Sequence, residues 1–386
     1  MNKRHKTSRT PTNPWTRREF LIRSGALGVA GISLPALLAA CGGGGGGSNA
    51  LLFDNWPLYI DPSEDGLVGS VERFAAASGV DMSYVESYND NDEYFAKIQP
   101  LLGAGKRIEP DLIAPTFWMA GRLINLGWVD KLPLDKVPNK SNLEDNYVKP
   151  PWDPTGEYSL PWQAGTAGIA YNIDVTGREL KSTSELFDPA FKGKIGMLTE
   201  MRDTMGLILM SEGIDITTIS SFEEAASAFE ILERAKADGQ IRAFTGNDYI
   251  DDLVSGNYAA CVGWSGDVLQ LGKDSPNIRF VVPEEGGTLW ADVMVMPKGT
   301  ENTDAVAKWL DFVYDPEQAA QITSYVQYFS PVKGVQEEVA KIDPELAENP
   351  LVFPDSATAS RLKSWANLSE DVDAQFADAF SAIIGA

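Results

Sequence analysis

Histidine is almost absent from this 386-residue chain: the only one is His5. It lies in an amino-terminal leader expected to be removed, so the working protein carries no imidazole. That excludes histidine-based triads, histidine-ligated zinc and imidazole general bases. Cysteine is nearly as scarce, with Cys41 and Cys261 alone. If Cys41 is acylated, Cys261 stays single and no internal disulfide can form, even in an export context that would permit one. Cys261 sits in the apolar run YAACVG and reads as a small buried hydrophobe. Positive charge is also thin. Residues 1–40 hold seven of the 32 Lys and Arg and one of the 55 Asp and Glu, which leaves 25 basic and 54 acidic residues and a net charge of −29. Backbone binding to nucleic acid needs a basic patch, so nucleic acid is an unsuitable partner. A negative field attracts cations instead, although solubility alone also explains such a charge.

What is present begins with that leader. A basic stretch, an apolar stretch and small residues precede Cys41, which is the order of a secretion signal rather than of a membrane span. Arg17 and Arg18 in TRREFL are similar to a twin-arginine signal, and LAAC, ending at Cys41, resembles a lipobox. In proteins with a lipobox, cleavage falls before the cysteine and its thiol is acylated. Six glycines (42–47) and Ser48 follow. Such a run cannot pack and loses much entropy if ordered, so residues 41–49 read as a lipidated cysteine and a tether. The body is therefore expected to be exported and lipid-anchored, on the outer face of the cytoplasmic membrane or in the periplasm.

Strand and helix patterns alternate along the body. ALLFDNWPLYI is a strand broken at Pro57, and a helix is expected near residues 67–77. VDMSYVESY alternates as a strand. NDNDEYFAKIQPLL opens with caps and acids and turns helical. PDLIAP is a short strand before a helix near 117–126. A proline-rich, polar passage (129–158) precedes the crossing strand SLPWQAGTAGIAYN. KGKIGMLTE, MRDTMGLILMSEG, FEEAASAFEILERAKAD, NYAACVGW, SGDVLQLG and IRFVVPEE continue the alternation, and the last ninety residues are mostly helical. The class is α/β, in two lobes with two or more crossings between them. Residues 50–160 and 293–345 are assigned to a first lobe, 161–292 to a second, and 346–386 to a carboxy-terminal helical segment packed on the lobes.

GGTLWADVMVMP carries the clearest anomaly. Side chains alternate across a strand, so Trp290 and Asp292 share a face. A buried carboxylate is costly without a cation or donors. The pair is either an edge strand facing water or a pocket wall facing a cationic ligand. Similar combinations recur where strands end, the usual ligand position in α/β sheets. They are Trp56 and Tyr59; Tyr88; Glu200 with Asp203; and Trp264 with Asp267; Tyr328, in the late segment QYFSP, joins the set. Glu200 and Asp203 equally suit a helix start. A primary ammonium wants a carboxylate, its methylenes want a flat apolar face, and Trp and Tyr attract cations through the ring quadrupole. A chain of amines spaced by methylenes fits this pattern. Sugars also stack on such rings, so composition alone leaves them open.

Eight motifs in register carry a resemblance. They are DNWPLYI, SYNDNDEYFAKI, DLIAPT, YSLPWQAGTAGIAYN, GKIGMLTEMRD, GWSGDV, GGTLWADVMVMP and YFSPV. Together they resemble the polyamine-binding proteins of bacterial spermidine/putrescine ABC importers, within the type II periplasmic-binding-protein fold, over nearly the whole mature chain. The resemblance implies a two-lobed clamp, mixed sheets flanked by helices, and a ligand between the lobes. It assigns ligand contacts to Trp56, Tyr59, Tyr88, Glu200, Asp203, Trp264, Asp267, Trp290, Asp292 and Tyr328, with Ser87, Thr116 and Gln327 as further hydrogen-bonding candidates. It implies a monomer without cofactor or bound metal that docks on ABC permease subunits and does no chemistry on its ligand. Two departures leave the preferred polyamine open. Some spermidine binders carry an acid between the first-motif Trp and Tyr, where this chain has Pro57 and Leu58. Asp203 also stands where many relatives have the longer Glu. The alternatives are another amine, an amino-sugar, an amino acid or a metal complex in the same fold, a sensory module, or a carboxylate-based hydrolase.

Overall fold

The computed structural model describes residues 49–64 and 66–385, so Arg17, Arg18 and Cys41 lie outside the described residues. The first strand, β1 (Ala50–Asn55), runs parallel to β2 (Asp81–Glu86) and to β3 (Leu112–Ile113). Parallel neighbours need crossovers, and two helices supply them. They are α1 (Ser70–Ser78), ended by Gly79 at φ +67°, and α2 (Asn91–Leu102). Asp90 starts α2 because its carboxylate accepts from the backbone N–H of Asp92 (2.8 Å) and of Glu93 (3.2 Å). Helix α3 (Phe117–Asn125) follows β3. The proline-rich passage folds as the two-residue strand β4 (Val129–Asp130) and three short 3-10 turns.

Strand β5 (Ser159–Asn172) is the longest strand among the described residues and is buried throughout. Beyond it lie β6 (Ile195–Leu198), α4 (Met201–Ser211), α5 (Ala226–Ala237), β7 (Ile241–Thr245) and β8 (Ala260–Trp264). Strand β6 is parallel to both β7 and β8, which makes a second parallel wing. Helix α6 (Ser265–Asp274), β9 (Ile278–Val281) and β10 (Gly287–Pro297) follow. The path through the mixed sheet is β2-β1-β3-β10-β5-β8-β6-β7. Long antiparallel β10 and β5 therefore sit at its centre and join the two parallel wings.

The carboxy-terminal part comprises α7 (Thr303–Val313), α8 (Pro316–Val326), the short β11 (Leu362–Lys363) and α9 (Glu370–Ile384). The pattern AVAKWLDFVYDPEQAAQITSYV is two helices and not one. Pro316 cannot continue the first, and the Asp315 carboxylate caps the second from the N–H groups of Glu317 and Gln318.

Two large hydrophobic clusters make the cores. The first gathers Phe53, Phe74, Leu112, Trp162, Val293, Trp309 and Val352 with their neighbours. The second gathers Ile169, Ile195, Leu207, Leu232, Tyr258, Phe376 and Phe380 with theirs. Strand β5 passes from one to the other, because Trp162 belongs to the first and Ala167 to the second. The chain returns through β10 and crosses again between Val352 and Trp365, after which α9 closes the second core. A two-lobed α/β fold results, and the seam between the lobes is where the central strands expose side chains to a cleft.

Candidate functional site: an acid-lined aromatic cleft

A cleft of about 690 Å³, its open mouth included, lies at that seam. Such a volume falls within the usual range for small-molecule sites. Ten of the residues expected from the sequence line it: Trp56, Tyr59, Thr116, Glu200, Asp203, Trp264, Asp267, Trp290, Asp292 and Tyr328.

Asp292 lies on β10 next to a bulge between Asp292 and Val293. It is 5 % exposed, and donors hold both its oxygens. The Thr116 hydroxyl donates to Oδ1 at 2.7 Å and the Tyr59 hydroxyl to Oδ2 at 2.9 Å. Asn91 steadies Thr116, giving an Nδ2 bond to its hydroxyl (2.8 Å) and taking its backbone N–H on Oδ1 (3.1 Å). Glu200 and Asp203 flank the start of α4. Glu200 is its N-cap, accepting from the Arg202 N–H at 3.3 Å, while Asn91 Nδ2 approaches the other oxygen at 3.5 Å. Asp203 accepts from Trp264 Nε1 (2.8 Å) and the Thr288 hydroxyl (2.6 Å). Asp267, in the first turn of α6, accepts from the hydroxyls of Tyr328 (2.7 Å) and Tyr249 (3.2 Å).

These partners are neutral, so Glu200, Asp203, Asp267 and Asp292 face one cleft without matched cations, and half-buried Asp90 adds a fifth carboxyl group to the lining. Burial is the main reason their pKa values rise. Asp292 is pushed up to about 7 and Asp267 to about 6. Glu200 and Asp203 rise for the same reason, and Asp203 repels charge on Glu200 as well. Burial, then the adjacent carboxylates, raises the hydroxyls of Tyr59 and Tyr328 well above their ordinary value, so both stay donors.

Arg202 is the cation among the lining residues. Its guanidinium is bonded to Asp373 of α9 and stacks on the Trp118 ring at 4.5 Å. Trp118 sits on α3 and Arg202 on α4, so this stack bridges the lobes at the cleft margin.

Rings make the remaining surface. Trp56 is locked by a 2.8 Å bond from Nε1 to the Ala114 carbonyl. Trp264 and Trp290 are half-buried and line the cleft. Tyr328 meets Trp290 edge-on at 5.3 Å and Tyr59 at 5.2 Å. Two glycines make room for it. A Cβ on Gly266 would lie 2.4 Å from the Tyr328 ring, and one on Gly165 would lie 2.5 Å from Trp290 and 2.8 Å from Tyr328.

Ser87, Tyr88 and Gln327 do not line the cleft. The Tyr88 ring is 4.8 Å from Trp56 and stacks on Tyr94 at 3.8 Å, so it backs the wall from behind. Ser87 lies just past the end of β2, outside the lining. Gln327 caps α8 in a left-handed turn and is buried. The cleft also contains residues that motif reading passed over, among them Asn91, Trp118, Arg202 and Trp365. Asn91 and Trp118 look like ordinary helix-start residues, and Trp365 comes from a segment without periodicity. Only Arg202 offered a signal, as the one base inside an acidic motif.

Comparison with known proteins agrees with this architecture. The spermidine/putrescine-binding periplasmic protein of Escherichia coli K12 is 24% identical over 345 residues, 89% of this chain and 91% of that protein. The putrescine/cadaverine-binding protein of Pseudomonas aeruginosa is 28% identical over 351 residues, 87% and 94% of the two chains. A solved spermidine/putrescine ABC transporter substrate-binding protein from Streptococcus pneumoniae superposes with a TM-score of 0.69 at 24% identity, covering 86% of this chain and 98% of that one. The profile of bacterial extracellular solute-binding proteins matches residues 69–354. With the two-lobed fold and a cleft at its seam, the chain belongs to the bacterial extracellular solute-binding protein family.

Proposed function

We propose that this protein is the extracytoplasmic substrate-binding component of an ABC importer and that it takes a polyamine, putrescine or spermidine, into the cleft. The single observation that carries this reading is a set of three buried carboxyl groups, Asp203, Asp267 and Asp292, with half-buried Glu200 beside them. Neutral donors hold them in one aromatic slot, and the one cation in the lining is already bonded to Asp373. The names of the relatives point the same way. An ammonium group would restore the charge that burial penalises. In this reading Asp292, Glu200, Asp203 and Asp267 share the ammonium groups, while Trp264 and Trp290 cover the methylenes.

Magnitudes support this division of labour. Each buried CH₂ contributes about 0.8 kcal/mol, so four methylenes give roughly 3. Micromolar affinity needs about 8 kcal/mol. Charge pairing and cation–π contact supply the rest.

The two lobes, 50–160 with 293–345 and 161–292, close on the ligand as a population shift, and the closed form docks on membrane permease subunits. Acylation of Cys41 tethers a monomer to the membrane. No chemistry is done on the ligand, and no cofactor takes part. Calorimetry on residues 48–386 with putrescine, cadaverine, spermidine and spermine tests the reading. At least one amine is expected to bind in the micromolar range or tighter. A cleft that ignores all four overturns it. Arg202 at the cleft margin favours one second reading, an amine that also carries a carboxylate, and γ-amino acids in the same titration separate the two.

A further inference from the structure

Among the described residues, two that are not glycine have positive φ: Leu58 at +55° and Gln327 at +56°. The left-handed region crowds any Cβ, so such residues persist only where their surroundings hold them. Each directly precedes a tyrosine of the cleft. Leu58 leads into Tyr59, whose hydroxyl donates to Asp292, and Gln327 leads into Tyr328, whose hydroxyl donates to Asp267. The two strained turns thus aim the two rings that hold half of the acids.

One side chain ties both turns together. Gln270, on α6 and 6 % exposed, donates from Nε2 to the Val326 carbonyl at 3.0 Å and to the Leu58 carbonyl at 3.4 Å. Both acceptors are carbonyl oxygens, so only the amide NH₂ can face them, and it carries two hydrogens, enough for both. Val326 immediately precedes Gln327. Helix α6 itself lies between the cores, with Leu269 against the first cluster and Val268 and Leu271 against the second. Leu58 packs against the second cluster although Trp56 and Tyr59 belong to the first. Gln270 is therefore a crossbar at the seam, outside the cleft lining.

We propose that Gln270 is a positioning residue for ligand binding: its amide fixes the left-handed turns at Leu58 and Gln327, and through Tyr59 and Tyr328 it orients Asp292 and Asp267. The inference rests on the amine-binding reading above. It predicts that affinity depends on an amide that touches no ligand.

A double-mutant cycle on the mature protein tests this, read by calorimetry with putrescine and spermidine. Gln270→Met keeps the side-chain length and removes both donors. It is expected to weaken binding by about tenfold or more, roughly 1.4 kcal/mol. In a Tyr59→Phe/Tyr328→Phe background, where the hydroxyls are already gone, the same change is expected to weaken binding by less than about threefold, because coupled residues are not additive. A purely structural role would give equal losses in both backgrounds, and that result overturns the proposal. So does Gln270→Met binding within about twofold of the unaltered protein. If Gln270→Met does not fold, Gln270→Asn serves in its place: the amide survives but cannot span both carbonyls, and the same pair of outcomes applies. The unaltered protein is titrated first. If it takes up no amine, the amine reading falls and this inference with it. If it binds while Gln270→Met binds equally well, this inference falls alone.

Discussion

The two walls of the cleft solve the problem of a buried acid differently. On the second lobe, Glu200, Asp203 and Asp267 stand in the first turns of α4 and α6. There the helix N-terminus favours negative charge by about 0.3–1 kcal/mol each. On the other wall, Asp292 stands on strand β10 and depends on hydroxyls from Thr116 and Tyr59. Asp292 is pushed up to about 7 and Asp267 to about 6, with burial first among the causes of each. Strand-borne Asp292 is thus raised above helix-borne Asp267, yet Glu200 at the α4 N-cap is raised furthest, to about 8, because Asp203 repels its charge on top of burial.

The first way to break this comparison is Asp292→Ala, with a predicted loss of amine affinity of roughly 2–5 kcal/mol, since it strands an ammonium in a buried site. Calorimetry reads it, and Asp267→Asn, measured alongside, should lose less. Equal losses would mean that support from helix and strand makes no difference. Next comes the aromatic floor. Trp290→Ala should cost about 2 kcal/mol of binding, as a buried anchor does. Gly266→Ala drives a Cβ into the Tyr328 ring and should cost about 1–3 kcal/mol of stability, with weaker binding because Asp267 loses the Tyr328 hydroxyl, the shorter of its two donors. Thermal denaturation with and without ligand separates the two effects.

The pH dependence sharpens the comparison further. An ammonium stabilises the ionised carboxyls, so binding near pH 6.5 should release protons, and affinity should rise from about pH 5 to 8. Calorimetry in buffers of different ionisation heat counts them, and Asp292→Asn should release fewer. Stability of the ligand-free protein runs the other way. Carboxyls with raised folded pKa values bind more protons folded than unfolded. Their contribution is full below about pH 4 and is lost as pH rises through about 7. The smallest effect is expected from Gln327→Gly. It relieves a left-handed backbone by about 1 kcal/mol but loosens the turn that aims Tyr328 while Gln270 still holds the Val326 carbonyl, so affinity should fall by less than about threefold. A loss of binding larger than that of Trp290→Ala would return Gln327 to the ligand shell.

Much of this was legible along the chain. SLPWQAGTAGIAYN forms a strand over its full length, Ser159 to Asn172, although Pro161 brings no ladder N–H and the pairing with β10 shifts register opposite it. The Trp290 and Asp292 pair reads correctly because strand alternation is strict. Tyr88 follows a strand, as Tyr59 does, yet it lies behind the cleft wall. Its ring faces Tyr94, and no local pattern carries that information. Strand β7 went unassigned because IRAFT is short, carries an Arg and is only partly buried.

Local sequence determined the chemistry of this protein: a single histidine at position 5, an excess of acids, and rings placed next to those acids. Those follow from composition and from periods of two and 3.6, which each segment expresses by itself. Tertiary structure alone decided which acids share a slot and which donors hold them. It also decided that Arg202 is spent on Asp373 and Trp118, and that Gln270 pins two strained turns. These depend on contacts between segments as far apart as residues 58 and 270, whose distance is set by the crossing of β5 and β10 and not by any pattern near either residue.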